Sequence, residues 1–206
     1  MLTIHHSPGT RGFRIIWLCE ELKLPYQLAR VDFSAEYRAT PEWRRMNPVG
    51  KVPVLCDGDL TLFESGAMLQ YLLDRYGDGR LQPARGTGEH ALFLQWCWFA
   101  EATFGRATGE MANHKRAFAA APLDVVLAEM AERARLCLQA LEQALEGKRH
   151  LLGEAFSAAD IMMGYTLQSF ARHVGDAHPP NVARYWALLT ERPAYQVAKA
   201  AEAELR

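Results

Sequence analysis

The first eighty residues alternate between the two periodicities of regular secondary structure. Four short runs have β character, and two longer stretches place their apolar residues on one helical face. The β runs are 2–6, 26–31, 52–56 and 60–63. The first helical stretch starts at Thr10; the second starts at Ser65, a suitable cap, and ends at Gly77. Because Asp57-Gly-Asp59 separates the last two β runs, the pattern predicts the order βαβ, a ββ hairpin and a final helix.

Residues 78–88 are rich in glycine and proline and poor in apolar residues, which is typical of an interdomain linker. Everything after them has helical patterning. Residues 91–100 are apolar nearly all round, so we expect their helix to be central. The domain boundaries predicted from this pattern are 1–78 for a mixed α/β domain, 79–88 for the linker and 89–206 for an all-α domain.

Two of the later helices have recognisable ends. Pro122 is expected at the first position of a long helix that Gly147 closes. Ser157 and Asp160 have the spacing of a capping box, and Phe156 is expected to pack against Ile161 in the first turn of the helix. Shorter helices are predicted near 181–191 and 194–204.

Composition narrows the class of protein. The 206 residues are 50% hydrophobic and 23% charged, and the formal net charge is -1. That balance excludes a disordered chain and gives no reason to expect a nucleic acid or membrane partner. The start of the chain lacks signal-peptide character and no apolar run is long enough to span a membrane, so we expect a cytoplasmic protein.

The histidines and cysteines give no metal-site pattern. The four cysteines (Cys19, Cys56, Cys97 and Cys137) are too widely spaced for a zinc motif and favour a reducing compartment, with the thiols as small core residues. His5 and His6 face opposite sides of a strand, so packing or surface positions are expected for them. We therefore expect no metal.

Val52-Pro53 at the start of the hairpin carries the first chemical hypothesis. A proline there can simply occupy a strand start with the usual trans bond. A cis bond would instead turn the Val52 backbone outward, where it could pair with an extended peptide-like ligand. Glu64-Ser65 follows the hairpin, and the amides that begin the Ser65 helix form a suitable site for a carboxylate.

These segments resemble the soluble glutathione S-transferase family. The matching residues are Asn47-Pro-Val-Gly-Lys-Val-Pro-Val-Leu55, Glu64-Ser65 and Phe156-Ser-Ala-Ala-Asp-Ile161. The resemblance covers essentially the whole chain and implies a thioredoxin-like βαβαββα domain followed by an all-helical domain. It also implies that Lys51, Val52 beside cis Pro53, Glu64 and Ser65 hold glutathione as co-substrate, with the last two at its γ-glutamyl end.

The resemblance places the catalytic group just after the first strand. Residues 5–14 are similar to the serine-type, bacterial or theta-like members, in which a serine stands three residues ahead of another Ser or Thr and an arginine follows. The tyrosine-type and cysteine-type patterns are not matched, because no tyrosine precedes Tyr26 and the first cysteine is Cys19. Ser7 is then the candidate hydroxyl donor to the glutathione thiolate, with Thr10 and Arg11 as alternatives. A second interpretation is that Ser7 and Thr10 only shape the turn.

The sulfur acceptor is expected to be a small apolar electrophile, as in detoxification. Candidate pocket residues, most of them on the helical domain, are Phe13, Trp96, Phe99, Phe104, His114 and Tyr165. The family resemblance also implies a homodimer. The alternative function is a non-catalytic binding or scaffold protein on the same fold.

Overall fold

A four-stranded mixed sheet organises the N-terminal part of the computed structural model, which describes residues 1–205. The strands are β1 Leu2–His6, β2 Tyr26–Arg30, β3 Val54–Asp57 and β4 Leu60–Phe63. They lie in the order β2-β1-β3-β4. β1 is parallel to β2 and antiparallel to β3, and β3 and β4 form the predicted hairpin. The predicted mixed domain followed by helices is confirmed.

Helices cover this sheet because their apolar faces need partners. They are α1 Phe13–Leu22, α2 Ala35–Arg38, α3 Pro41–Met46 and α4 Ser65–Tyr76. α1 packs against α4, burying Ile16 on one side and Met68 and Leu72 on the other. Trp43 of α3 is buried in a separate cluster with Val31 and Val54.

The last helix groups with the sheet. Contacts divide the chain into residues 1–80 together with the chain from Glu191 onward, and residues 81–190. α10, Pro193–Glu204, packs on α1, where the Tyr195 ring lies edge-on to Phe13 and Trp17. This grouping differs from the predicted 89–206 domain, because helical periodicity does not reveal which element a helix packs against.

The second unit is entirely helical apart from its loops. Its helices are α5 Gly88–Trp98, a π-helical segment Phe99–Phe104, α6 Gly105–Ala117, α7 Asp124–Ala144, α8 Ala158–His173 and α9 Pro180–Thr190. The predicted central position of the 91–100 helix is wrong. Only Phe93 of α5 is buried, whereas Leu92 is 50% exposed and Trp98 is 64% exposed.

Three element starts lie later than predicted, each for a local reason. α1 begins at Phe13, since the N–H groups of Thr10 and Phe13 first close turns onto Ser7 and Thr10. β3 begins at Val54, because Pro53 has no N–H for the ladder. α7 begins at Asp124, so Pro122 precedes it and is not at its first position.

The start of α8 confirms the predicted capping box. Asp160 is fully buried and accepts hydrogen bonds from the Ser157 N–H and hydroxyl at 2.8 and 3.0 Å. It also accepts from the Leu151 N–H at 3.0 Å and the Tyr185 hydroxyl at 2.8 Å. One carboxylate therefore joins the loop before α8 to α9.

Among residues 1–205, no helix is both long enough and apolar enough to cross a membrane.

We expect Asp160→Ala to lower the free energy of unfolding by about 3 kcal/mol, because it leaves several buried donors without an acceptor. Asp124→Ala is the matched control, since that carboxylate also lies in a first helical turn but is exposed. Its loss should cost only about 0.5 kcal/mol. Urea denaturation at one protein concentration measures both, and equal losses would contradict the prediction.

Candidate functional site

The loop of residues 7–12 joins β1 to α1 and carries the predicted catalytic candidates. Thr10 lies in this loop, not in the helix predicted to begin there. Its hydroxyl donates to the Ser7 carbonyl at 2.7 Å. Ser7 is 8% exposed, and within residues 1–205 its own hydroxyl makes no hydrogen bond. The two hydroxyls therefore differ in availability: Thr10 already has an acceptor, and Ser7 can still donate.

A cavity of about 390 Å³ opens beside Ser7. It is lined by Ser7 and Pro8 on one side and by Arg30, Val31, Asp32 and Phe33 on the other. Those four residues are the end of β2 and the start of the connection to α2. Phe33 is largely exposed, and the Arg38 guanidinium lies 4.3 Å from its ring centroid. The cavity thus has an available hydroxyl, an aromatic wall and charges of both signs.

Asn47 organises the segment that leads into the hairpin. Its side-chain amide donates to the Lys51 carbonyl at 2.9 Å, and its side-chain oxygen accepts from the Val49 N–H at 3.1 Å. Gly50 has φ of 64°, and a Cβ there would lie 2.4 Å from the Arg38 carbonyl oxygen. Only glycine suits that position.

The Val52–Pro53 peptide bond is cis, as the sequence interpretation proposed. Pro53 is buried, Lys51 is exposed and Val52 is half-buried. Within residues 1–205 the Val52 N–H and C=O make no hydrogen bond, since the ladder of β3 begins at Val54.

The N-terminus of α4 has the character of an anion site. Glu64, its N-cap residue, has φ of 74° and makes no side-chain cap, and no acidic residue lies in the first turn. The N–H groups of a first helical turn have no partner within the helix. Ser65 is buried, and its hydroxyl accepts a hydrogen bond from the fully buried Arg14 at 3.1 Å. Because the Ser65 oxygen accepts in that contact, the Ser65 hydroxyl still has its hydrogen to donate.

A buried carboxylate fixes the other side of the 7–12 loop. Glu202 of α10 is 1% exposed and accepts hydrogen bonds from the Gly9 N–H at 2.8 Å and His6 Nε2 at 3.1 Å. Lys199 donates to its second oxygen at 3.0 Å. Burial by itself raises the pKa of Glu202, but the hydrogen bonds from His6, Gly9 and Lys199 outweigh it and lower the pKa to about 2. Glu202 is therefore charged at neutral pH.

Two of the four cysteines have thiols whose pKa is raised. Burial raises the pKa of Cys19 to about 12, with the nearby Glu20 charge adding to the effect. Burial also raises the pKa of Cys137. All four cysteines are free thiols.

The predicted pocket residues do not form one set. Phe13 and Phe104 are fully buried; Phe13 packs on Tyr195 and Phe104 on Phe170, so neither presents a surface to a ligand in this structure. The assignments of Phe13 and Phe104 need correction. His114 is half-buried and its Nε2 accepts from the Leu123 N–H at 3.0 Å, and its role in a pocket remains a prediction.

Three further candidates keep some exposure. Trp96 and Phe99 are half-buried with their ring centroids 5.4 Å apart, and Tyr165 is half-buried. Their role in a pocket remains a prediction.

Four residues important to the site were assigned no role by the sequence interpretation: Arg14, Asn47, Glu202 and Phe33. Asn47 lies inside the recognised motif, so an Asn-Pro-x-Gly turn was an available signal. Arg14 is an arginine on the apolar face of α1, and such a residue needs a buried partner. Nothing local marks Glu202, because its partners are 193 and 196 residues away.

The geometry specifies a class of ligand. A helix N-terminus and a buried arginine suit a carboxylate, the exposed Glu64 suits a cation, and the unpaired Val52 backbone suits an extended amide. The Ser7 hydroxyl can donate to an anion at the cavity. Among residues 1–205, no cluster of three or more His, Cys, Asp or Glu could hold a metal ion.

Comparison with known proteins agrees with this class. The family model "Glutathione S-transferase, N-terminal domain" matches residues 2–74, and "Glutathione S-transferase, C-terminal domain" matches residues 124–194. The chain is 30% identical to "Glutathione S-transferase 1" of Triticum aestivum, over 93% of this chain and 90% of that protein.

Two further similarities are to a disulfide-bond oxidoreductase and to a transferase solved with oxidized glutathione. The chain is 30% identical to the "Disulfide-bond oxidoreductase YfcG" of Escherichia coli, over 94% of this chain and 92% of that protein. It superposes with a TM-score of 0.90 on the glutathione transferase URE2P6 from Phanerochaete chrysosporium, solved in complex with oxidized glutathione. That pair shares 26% identity and covers 100% of this chain and 97% of the other. With both domain models matching in order and relatives of 30% identity spanning nearly all of it, the chain belongs to the glutathione S-transferase family.

Proposed function

We propose that this protein binds glutathione and transfers it, as a thiolate, to an apolar electrophile. The observation that carries the proposal is the open N-terminus of α4, where Ser65 is anchored by buried Arg14 beside the exposed carboxylate of Glu64. Glutathione bears the matching groups: an α-carboxylate and α-ammonium at its γ-glutamyl end, then amides, and a second carboxylate at its other end. Its thiol belongs to the central cysteinyl residue, between the two ends.

The γ-glutamyl end binds at α4. Its carboxylate accepts hydrogen bonds from the first-turn amides and the Ser65 hydroxyl, and its ammonium pairs with Glu64. The cysteinyl amides pair with the Val52 backbone, and Lys51 provides a cation for a carboxylate. Glu64 supports this role by its backbone as well. A non-glycine residue at φ of 74° costs of the order of 1–3 kcal/mol, and such conformations cluster at ligand sites.

Ser7 holds the sulfur as a thiolate. Lowering the thiol pKa by two units requires about 2.7 kcal/mol of preferential stabilisation of the anion. A hydrogen bond to a charged group contributes about 1.5–3 kcal/mol, so one well-placed hydroxyl supplies most of it. Ser7 is favoured over Thr10 because the single hydroxyl hydrogen of Thr10 already lies on the Ser7 carbonyl.

The transfer step then requires only that the electrophile lie close to the thiolate. The thiolate electron pair forms a bond to the electrophilic carbon, and the leaving group departs with the pair of its broken bond. The cavity beside Ser7 supports this step because it is open and bounded by the Phe33 ring. Detoxification of small apolar electrophiles is the role we propose.

A homodimer also remains part of the proposal. The exposed Leu92 and Trp98 on α5 support it, since both offer apolar surface that a second subunit would remove from water. Analytical ultracentrifugation would decide it, and a monomer at micromolar concentration would exclude it.

Glutathione-dependent disulfide exchange is a second candidate function. The similarity to YfcG, and to a transferase solved with oxidized glutathione, favours it. The bound thiolate would attack a disulfide sulfur, forming a mixed disulfide and releasing the other half as a thiolate. This route needs no protein thiol.

The contrasting function is a non-catalytic scaffold. Failure of the protein to bind glutathione at millimolar concentration, measured by calorimetry, would favour it over both enzymatic proposals.

Ser7→Ala should raise the pKa of the bound glutathione thiol by more than one unit and lower kcat about 10²-fold. Losses of this size are typical when one hydrogen-bond donor to an anion is removed from an active site. The thiolate absorbance at 240 nm as a function of pH, with turnover of 1-chloro-2,4-dinitrobenzene, measures both. Thr10→Ala and Arg11→Ala are the comparison variants and should have smaller effects. If either exceeds Ser7→Ala, the assignment to Ser7 is wrong.

Ser65→Ala should weaken glutathione binding about tenfold, the effect of about 1.4 kcal/mol, with little change in kcat. Thr87→Ala is the matched control, because it removes a hydroxyl that caps the N-terminus of α5. It should leave glutathione affinity unchanged. Calorimetric titration measures both, and equal affinities for the two variants would contradict the γ-glutamyl site.

The disulfide-exchange hypothesis predicts that the double variant Cys56→Ser/Cys97→Ser keeps its rate. These are the two half-buried thiols, whereas Cys19 and Cys137 are buried. Reduction of hydroxyethyl disulfide by glutathione, coupled to glutathione reductase, measures the rate. A loss of more than about tenfold would assign the exchange to a protein thiol.

A further inference from the structure

The C-terminal helix holds the loop that carries the proposed sulfur-binding hydroxyl. One Glu202 oxygen lies 2.8 Å from the Gly9 nitrogen and 3.1 Å from His6 Nε2. Gly9 has φ of 79° and lies two residues after Ser7. The carboxylate thus binds the backbone of the loop directly and, through His6, the end of β1.

α10 is itself firmly attached at its other end. Arg192, just before the helix, makes two hydrogen bonds to Glu21 of α1, at 2.6 and 2.7 Å. Tyr195 packs on Phe13 and Trp17, and the Lys199 ammonium lies 5.0 Å from the Phe13 ring centroid. α1 and α10 therefore form a rigid pair, and Glu202 reaches the loop from a fixed support.

A chain of contacts leads from Glu202 to the Ser7 carbonyl. Nε2 of His6 donates to Glu202, because a carboxylate can only accept. Thr10 Oγ1 lies 3.2 Å from His6 Nδ1 and 2.7 Å from the Ser7 carbonyl, to which it donates its single hydrogen.

The ring has no room for another position. His6 is fully buried, and a Cβ on Gly12 would lie 2.3 Å from its Nδ1. The contacts from Glu202 through His6 and Thr10 therefore end at the Ser7 carbonyl in one arrangement of these side chains.

We propose that Glu202 is a positioning residue of the active site, which acts through His6, Thr10 and the Gly9 N–H to hold Ser7 facing the glutathione sulfur. This inference rests on the proposed transferase function. Glu202 touches neither glutathione nor electrophile in this role. The C-terminal helix thereby becomes a functional part of the site, although it is the most distant element in sequence.

The test compares two variants that disturb α10 differently. Glu202→Gln is nearly isosteric and keeps an oxygen for Gly9, but it removes the charge that pairs with His6. Arg192→Ala removes the attachment of α10 to Glu21 and leaves the contacts of Glu202 in place. We expect Glu202→Gln to lower kcat about tenfold or more and to raise the pKa of bound glutathione, with KM for glutathione nearly unchanged.

Arg192→Ala should lower stability while keeping the wild-type pKa of bound glutathione. Thermal unfolding of both variants gives the stability against which the kinetic losses are compared. If Arg192→Ala, at equal stability loss, reproduces the kinetic defect of Glu202→Gln, the role of Glu202 is only structural and the proposal is overturned. Wild-type kcat and thiol pKa in Glu202→Gln would also overturn it.

A measurement on the wild-type protein does not depend on any variant folding. The ¹⁵N chemical shift of His6 Nε2 should be that of a nitrogen bonded to hydrogen, because this atom donates to Glu202. A spectrum in which Nε2 carries no hydrogen would contradict the contact with Glu202. A different result would contradict the proposed transferase function itself. In that case the wild-type protein would neither bind glutathione nor turn over 1-chloro-2,4-dinitrobenzene, whatever the state of His6.

Discussion

The buried carboxylate of Glu202 is the interaction on which the geometry of this site depends. An isolated charge in a protein interior is expensive, so it persists only where donors surround it. Here the donors come from the end of β1, from the following loop and from α10 itself. Because all of them must be satisfied together, the loop cannot move without exposing or unpairing a buried charge. α10 and β1 are therefore held together by one set of hydrogen bonds to Glu202.

The same physical requirement recurs at two other places. Arg14 is buried on the apolar face of α1 and donates to Ser65 at the start of α4. Asp160 is buried at the start of α8 and accepts from donors that include the Tyr185 hydroxyl on α9. Each is a buried charged group with a hydrogen-bond partner on another helix. Buried charges thus fix the relative positions of elements that apolar packing would leave freer to slide.

The features that could be predicted from sequence are those encoded within a few residues. The hairpin about Gly58, the Ser157–Asp160 cap and the four strands depend on neighbours along the chain, and all are present. The motif around Pro53 also identified the segments that are proposed to hold glutathione. What could not be predicted were contacts between distant residues: the partner of α10, the exposure of α5 and the donors of Glu202. Periodicity reports that a face is apolar, but not what covers it.

The two hydroxyl side chains of the 7–12 loop show that sequence also leaves hydrogen-bond partners open. Ser7 and Thr10 are equivalent as residue types, three positions apart in one loop, and sequence alone left both open as the sulfur-binding group. A hydroxyl has one hydrogen to donate, so its availability depends on which acceptor already lies nearby. The Ser7 carbonyl takes the hydrogen of Thr10, and Thr10 Oγ1 also lies 3.2 Å from His6, the partner of Glu202. The proposed choice of Ser7 over Thr10 therefore rests on contacts made only in the folded loop, one of which leads to a carboxylate almost two hundred residues further along the chain.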